Sequence, residues 1–464
     1  MTTSADGIGP AVGSPNPALL PAATAHFTRS GSVDVADLHA RGSVRRSGST
    51  SLAPGAASFA ITPGVPNLGD VWSLNVADGC AGAPTDATGE VVAVGEHSIV
   101  VVDYDIPDFP GPAFFEAIAD TIDNVVAPVV YLNFNGATLA EPTDIDSNDR
   151  VVYFFTPAVN QQLDPATSGE YGYFAPRDLE PAGACPRSNE GEIIYLPVPD
   201  ATGMVASPLS ADSITFYASR TVAHELQHLV NRSYRNQAGF GAEEAWLDEA
   251  MSRVAEELVF YAEALIGPEQ NIDRGDFTAG RATIFNRLLR RNFLHMQWWL
   301  EAPDTTGPAN SDLSPAAGGA AWAFLRYYID RERDPTAHPD ALTALVRSPQ
   351  TGATNLTSSI GGSFGAFLRD WAAAMYVDDA VSSIGPALRN PSWNYRDLFT
   401  DSGGYPVTTV PLSGGVPLTR TYAEGGGASY IRFSVPGGEF VEVTNEVGGV
   451  APPASIRMRV VRTQ

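Results

Sequence analysis

The 464-residue sequence predicts an α+β fold, and three observations predict it. Short β-branched runs with period-two alternation fill much of the first half. Long segments with apolar residues at helical spacing fill the middle. The composition, with 44% hydrophobic residues, supplies a sizeable core, and the length allows about two to four domains.

The elements follow in chain order. Residues 1–60 are rich in Ser, Gly, Ala, Pro and Arg without periodicity, and read as disordered or as a loosely attached pro-segment. A small N-terminal β unit is expected over 61–108, from Val71–Val76 and Glu90–Tyr104, the latter holding the run Ser98-Ile99-Val100-Val101-Val102. A central domain is expected over 109–390. It opens with a helix over 113–127 (AFFEAIADTIDNVVA) that ends before Pro128. RVVYFF (150–155) and EIIYL (192–196) read as buried strands. Thr215–Asn231 sets Val222, Leu226, Leu229 and Val230 on one stripe, and Ala242–Ala264 does so with Trp246, Leu247, Ala250, Val254, Leu258 and Tyr261. More helices follow at about 281–300, 316–332, 339–347 and 363–377. Over 400–464 the short runs YIRFSV, FVEVTN and IRMRVV suggest a C-terminal β domain. No internal repeat is visible.

Charge narrows the function. With 53 acidic against 28 basic residues the net charge is −25, which repels phosphate backbones and anionic lipid surfaces. Nucleic-acid and membrane partners are therefore not expected. Every basic residue is Arg, so Schiff-base lysine chemistry and a P-loop lysine are excluded. No run of 18 apolar residues exists to span a bilayer, and the first 25 residues lack the pattern of a signal peptide. Cys80 and Cys185 fit either one disulfide or two buried thiols.

One motif carries chemistry. The helix at 215–231 contains His224-Glu225-Leu226-Gln227-His228. Residues i and i+4 share a helix face, so the two imidazoles can grip one cation while Glu225 reaches a water beside it. A catalytic zinc takes three protein ligands and keeps a fourth position open. A third histidine in the extended metzincin pattern is absent, because Asn231 and Tyr234 occupy the places of its glycine and histidine. A carboxylate on the next helix is the alternative. Glu249 lies 21 residues beyond His228, room for a turn and a returning helix, on a small polar face with Ala245, Ser252 and Glu256.

HELQHLVN followed by AEEAWLDEAMSRVAEEL resembles the gluzincin metallopeptidases, and more narrowly the hyicolysin family, whose second motif reads close to WLNEGLSHxAEE. DIDSNDRVVYFFTPAVN upstream and GGAAWAFLRYYIDR downstream are also similar to that family, so the resemblance spans about residues 110–380. It implies a thermolysin-like zincin catalytic domain, with a mixed sheet, an active-site helix and a helical C-terminal subdomain, flanked by the small β units. It implies Zn2+ held by His224, His228 and Glu249, with Glu225 as base, a protein or peptide as substrate, and secretion or display at the cell surface. The departures are Asp248 for Asn, Ala250 for Gly, Met251 for Leu and Arg253 for His.

Several roles stay open in the sequence. The donor that stabilises the oxyanion is sought among His295, Tyr234, Tyr327 and Tyr328, with His295 as the choice. Glu256, Asp248 and Glu244 are candidates to orient the imidazoles. Glu192–Leu196 is similar to the edge strand on which such enzymes lay an extended peptide. Asp144–Asp149 (DIDSND) has the look of a Ca2+ loop, although Asp149 and Phe155 stand where a glycine and a glutamate would be. Gly361-Gly362-Ser363-Phe364-Gly365 matches a nucleophile-elbow pattern, which keeps a serine hydrolase at Ser363 as an alternative. A zinc-containing binding protein without catalysis is a second alternative, and an aminopeptidase stays open within the metal class.

Overall fold

The computed structural model describes residues 45–46, 61, 63–135, 143–163, 171–311, 313–332 and 341–463. The expectation for 1–60 falls almost wholly outside them. Among the described residues the chain is a mixed α+β protein, and no helix is long and apolar enough to cross a membrane.

One seven-stranded mixed sheet forms the first half. Its strands are β1 (Arg45–Arg46), β2 (Val71–Asn75), β3 (Asp86–Val94), β4 (Ser98–Asp103), β5 (Val151–Phe155), β6 (Tyr173–Phe174) and β7 (Ile193–Leu196), in the order β1-β3-β4-β5-β7-β6 with β2 also on β3. The Glu90–Tyr104 region is thus a hairpin, and the N-terminal β unit is continuous with the strands that follow. β4, β5 and β7 are parallel to one another, and every residue in them is buried. Burial on both faces is why these segments read as apolar runs. Alternate residues serve two layers. Val100, Tyr153 and Ile194 pack under the helices; Ile99, Val101, Val152, Phe154 and Ile193 pack against Trp72 and Leu74 on the other side. The disulfide Cys80–Cys185 ties the β2–β3 connection to the segment before β7, which decides the cysteine question.

The edge beside the helices is not the one expected from the sequence. β7 is paired on both sides, with β5 and with β6, so the exposed edge is β6. Gly172 makes this possible: a Cβ there would lie 2.8 Å from the Tyr195 carbonyl oxygen and 2.8 Å from the Thr221 methyl. A second correction concerns Pro128. α1 (Pro112–Thr121) runs on through a wide turn at Ile122–Val126 into α2 (Ala127–Phe134). The wider turn, closed by Ala127 N–H on the Ile122 carbonyl, carries the helix past a residue that has no N–H to give.

After α3 (Pro157–Gln162) and β7 come the two longest helices, α4 (Ala211–Gln237) and α5 (Ala245–Ala264). Ser210 caps α4 by accepting the Ser213 N–H, and Gly239 at φ 71° ends it, so the chain can return as α5. The segment expected as one helix at 281–300 is two, α6 (Ala279–Leu288) and α7 (Arg290–Glu301). α8 (Pro315–Glu332), α9 (Ala341–Arg347), α10 (Gly352–Ser359), α11 (Phe364–Val377) and the short α12 (Tyr395–Leu398) complete the helical half. Its centre is aromatic: Trp299 stacks on Trp371, and Phe293 lies between Phe285, Trp322 and Trp393.

The C-terminal segment departs from the β domain expected over 400–464. Among the described residues the strands there are β8 (Thr409–Pro411) and β9 (Tyr430–Arg432), paired in parallel, with Val447 and Val450 joined by an isolated antiparallel bridge. Residues 440–445 and 456–461 alternate as strands do but lie outside any strand, and Phe440 is 99% exposed. Alternation specifies a strand only where a neighbour completes its ladder.

Candidate metal centre and cleft

α4 and α5 pack side by side and bring the predicted ligands together. His224 and His228 stand one turn apart, with ring centroids 4.9 Å from each other. Each ring is fixed from behind by a carboxylate on α5. His224 Nδ1 meets Glu256 Oε1 at 2.8 Å, and His228 Nδ1 meets Asp248 Oδ2 at 2.9 Å. Both Nε2 atoms then face Glu249, at 3.5 Å from its Oε2 and Oε1 respectively. Ligands about 2.0–2.2 Å from a tetrahedral zinc stand about 3.3–3.6 Å from one another. The side chains present therefore fit such an ion in both donor type and spacing.

The electrostatics point the same way. Burial opposes charge on both imidazoles, but hydrogen bonds to Glu249 and Glu256 overcome it and raise His224 to about 9. Asp248 and Glu249 likewise hold His228 well above the usual histidine value against its burial. Burial would raise Glu249, yet the two histidines hold it well below the usual carboxylate range. A dication held between the Nε2 atoms and Glu249 would bring the charge that the two ring protons otherwise supply.

Glu225 is nearly buried beside the triad, and its Oε2 accepts the Phe174 N–H of β6 at 3.0 Å. The cleft there has a volume of about 310 Å3. Gly172, Tyr173, Phe174 and Pro176 form one wall; His224, Glu225, His228, Asn231, Arg232 and Arg235 line its α4 side; Glu243, Asp248 and Glu249 come from the turn and α5. The end of α4 is anchored by Arg235, which donates to the carbonyls of Gly241, Ser348 and Gln350 and pairs with buried Glu243.

Other candidates lie elsewhere. Glu244 accepts the Trp246 Nε1–H at 2.8 Å and faces neither imidazole. His295, on α7, is fully buried and does not line the cleft. Burial, then Arg253, Arg291 and Arg220, push it far below the usual histidine range, so its ring is neutral. It reaches His224 only through intermediaries: Arg253 Nη1 contacts both His295 Nδ1 (3.2 Å) and Asn292 Oδ1 (2.8 Å), and Asn292 donates to Glu256. Tyr234 sits against the Arg347 guanidinium, while Tyr327 and Tyr328 spend their hydroxyls on the carbonyls of Ala387 and Gly361. Ser363 precedes α11 and follows a helix, α10, where a nucleophile elbow would follow a strand. The Asp144–Asp149 turn is closed on itself, with Asp144 Oδ1 accepting the N–H groups of Asn148 and Asp149.

Sequence reasoning missed Asn292, Asn231 and the Phe174 amide. Asn231 donates to Asp248 Oδ1 at 2.5 Å and sits three residues after His228, so helical spacing could have found it. Asn292 comes from a distant helix and gives no local signal. No protein-family model matches this chain, and no curated protein matches it. The chemistry of the site stands on its own geometry.

Proposed function

We propose that this chain is a zinc-dependent endopeptidase with a thermolysin-like zincin catalytic domain, close in kind to the hyicolysin gluzincins. The observation that carries this reading is the pair of imidazole Nε2 atoms, each 3.5 Å from a different oxygen of Glu249, with Glu225 between them in sequence and at the cleft. When bound, zinc supplies Lewis acidity and brings the pKa of an attacking water towards about 7. Glu225 accepts that water's proton and returns it to the leaving amine. The Phe174 N–H holds one Glu225 oxygen and fixes the carboxylate at the cleft. Asp248 and Glu256 keep the ring Nε2 atoms turned to the ion. The β6 edge offers a substrate backbone a strand to pair with. The disulfide fits work in an oxidising, extracellular setting.

The test pairs metal analysis with casein cleavage. Purified protein should carry about one zinc per chain, and 1,10-phenanthroline should stop cleavage. Glu225→Ala should keep the zinc and lose the proteolysis. Undiminished cleavage by that variant would end the proposal.

A further inference from the structure

Four residues on one face of α4, Arg220, His224, His228 and Arg232, follow one another at four-residue steps, so the two imidazoles are flanked by an arginine at each end. The two arginines differ in surroundings. Arg220 is 5% exposed, and its guanidinium lies over the Tyr217 ring at 4.9 Å. Arg232 lines the open cleft, with its side chain 30% exposed.

From these surroundings we infer that Arg232 is a subsite for a substrate carboxylate, so that the enzyme selects peptides with a negative group one or two residues from the scissile bond. The inference rests on the peptidase reading above. Arg232 Nε is buried and has no hydrogen-bond partner. Its nearest carboxylate, Glu180, is 3.8 Å from Nη2, beyond hydrogen-bonding distance, and is itself well exposed. The other cleft arginine, Arg235, is committed to three carbonyls and Glu243. Among the described lining residues Arg232 is therefore the cation with donors to offer. The Nε–H is covered, so a carboxylate in the cleft would meet this guanidinium through its terminal Nη groups, in charge-assisted hydrogen bonds. Reach agrees as well. One helical turn sets Arg232 about 6 Å along the axis from His228, close to the length of two extended residues, about 6.6 Å.

The experiment uses internally quenched peptides of one sequence, with Glu, Gln or Lys at the positions flanking the cleaved bond, each with a free or an amidated C-terminus. Wild-type kcat/KM should favour the Glu peptide over the Gln peptide by about tenfold to a hundredfold, the span of a hydrogen bond to a charged group. Arg232→Gln should bring the two rates together, and Arg232→Glu should turn the preference to the Lys peptide. A preference that follows the free C-terminus instead of the Glu side chain would assign the carboxylate to the chain end. Equal wild-type rates on the Glu and Gln peptides with either terminus would overturn the inference, as would a preference that survives Arg232→Gln. Binding of the same peptides to Glu225→Ala, read by fluorescence anisotropy, separates the two claims. If wild type cleaves none of them, the peptidase reading falls, and the subsite stands or falls on tighter binding of the negatively charged peptides that Arg232→Gln removes.

Discussion

Replacing Asp248 with alanine tests whether the carboxylates behind the imidazoles set metal affinity. Asp248 Oδ2 bonds His228 Nδ1 at 2.9 Å, and its Oδ1 holds the Asn231 amide at 2.5 Å. Asp248→Ala frees the ring to rotate and removes the partner that raises its basicity. Loss of such an outer partner typically weakens metal binding about 10–100-fold, or about 1.4–2.7 kcal/mol. Protons oppose part of that loss. Asp248 also holds the His228 pKa well above normal, so in the wild type zinc must displace a proton that the variant binds less tightly. The net deficit should therefore be small at pH 7 and approach its full size at high pH, where proton competition fades. Zinc titration against a competing chelator at pH 7 and pH 9.5 measures both values, and the thermal midpoint of metal-free protein checks the fold. Glu244→Gln is the matched control, because Glu244 serves Trp246 and should leave zinc affinity alone. Unchanged affinity in Asp248→Ala at pH 9.5, or an equal loss in Glu244→Gln, would refute the reasoning.

Zinc binding itself should release protons at pH 7, because His224 titrates at about 9 in the metal-free site; calorimetry in two buffers of different ionisation heat should find fewer released at pH 9.5. Asp146 is pushed up to about 7 by burial, then by Glu192 and Asp144, so the folded state keeps a proton that the unfolded chain gives up above about 4. That contribution is full below about 4 and is lost as pH rises through about 7, by about 1.4 kcal/mol per unit at most; urea unfolding of Asp146→Asn should show a flatter profile than wild type from pH 5 to 8. Calcium that raises the wild-type midpoint and not the Asn midpoint would support the cation loop expected at Asp144–Asp149. Replacing Cys80 and Cys185 by serine opens a bridge across 105 residues, so the urea midpoint should fall by the equivalent of about 4–5 kcal/mol of chain entropy; an unmoved midpoint would mean the bridge constrains little.

The cluster of His224, His228 and Glu249 was legible because its signals are local. His224 and His228 are related by one helical turn, and Glu249 and Glu256 by two, so spacing alone set each pair on one face. The fully buried parallel strands were legible for a similar reason, as short β-branched runs with no polar face. What was hidden depends on neighbours distant in sequence. β6 has two residues, too few for any periodicity, and becomes an edge only because Gly172 lets it lie against β7. His295 stood in the sequence as a donor; its neutral state comes from burial, then from arginines on α4, α5 and α7, which no window along the chain places together. The runs FVEVTN and IRMRVV show the converse, a strand pattern that no described strand meets.

Asp248 and Arg253, one residue before and four residues after Glu249, do related work in this geometry. Asp248, where the resembling motif has Asn, gives His228 a carboxylate behind its ring. Arg253, where that motif has His, donates to Asn292 Oδ1, which turns the Asn292 amide so that its Nδ2–H meets Glu256 Oε2 at 2.9 Å. Glu256 in turn holds His224. Each imidazole is thus backed by its own carboxylate, and each carboxylate by its own asparagine, Asn231 for Asp248 and Asn292 for Glu256. Neither support can be lost without leaving a buried or half-buried charge with one partner fewer, which ties the orientation of the ligands to the packing of α4, α5 and α7. Arg253→His should therefore act on zinc affinity through His224 while leaving the Asp248–His228 bond in place. Combined with Asp248→Ala its effect should add, because the two chains of contacts share no residue behind the rings. A strongly non-additive double variant would mean the two imidazoles are oriented as one unit.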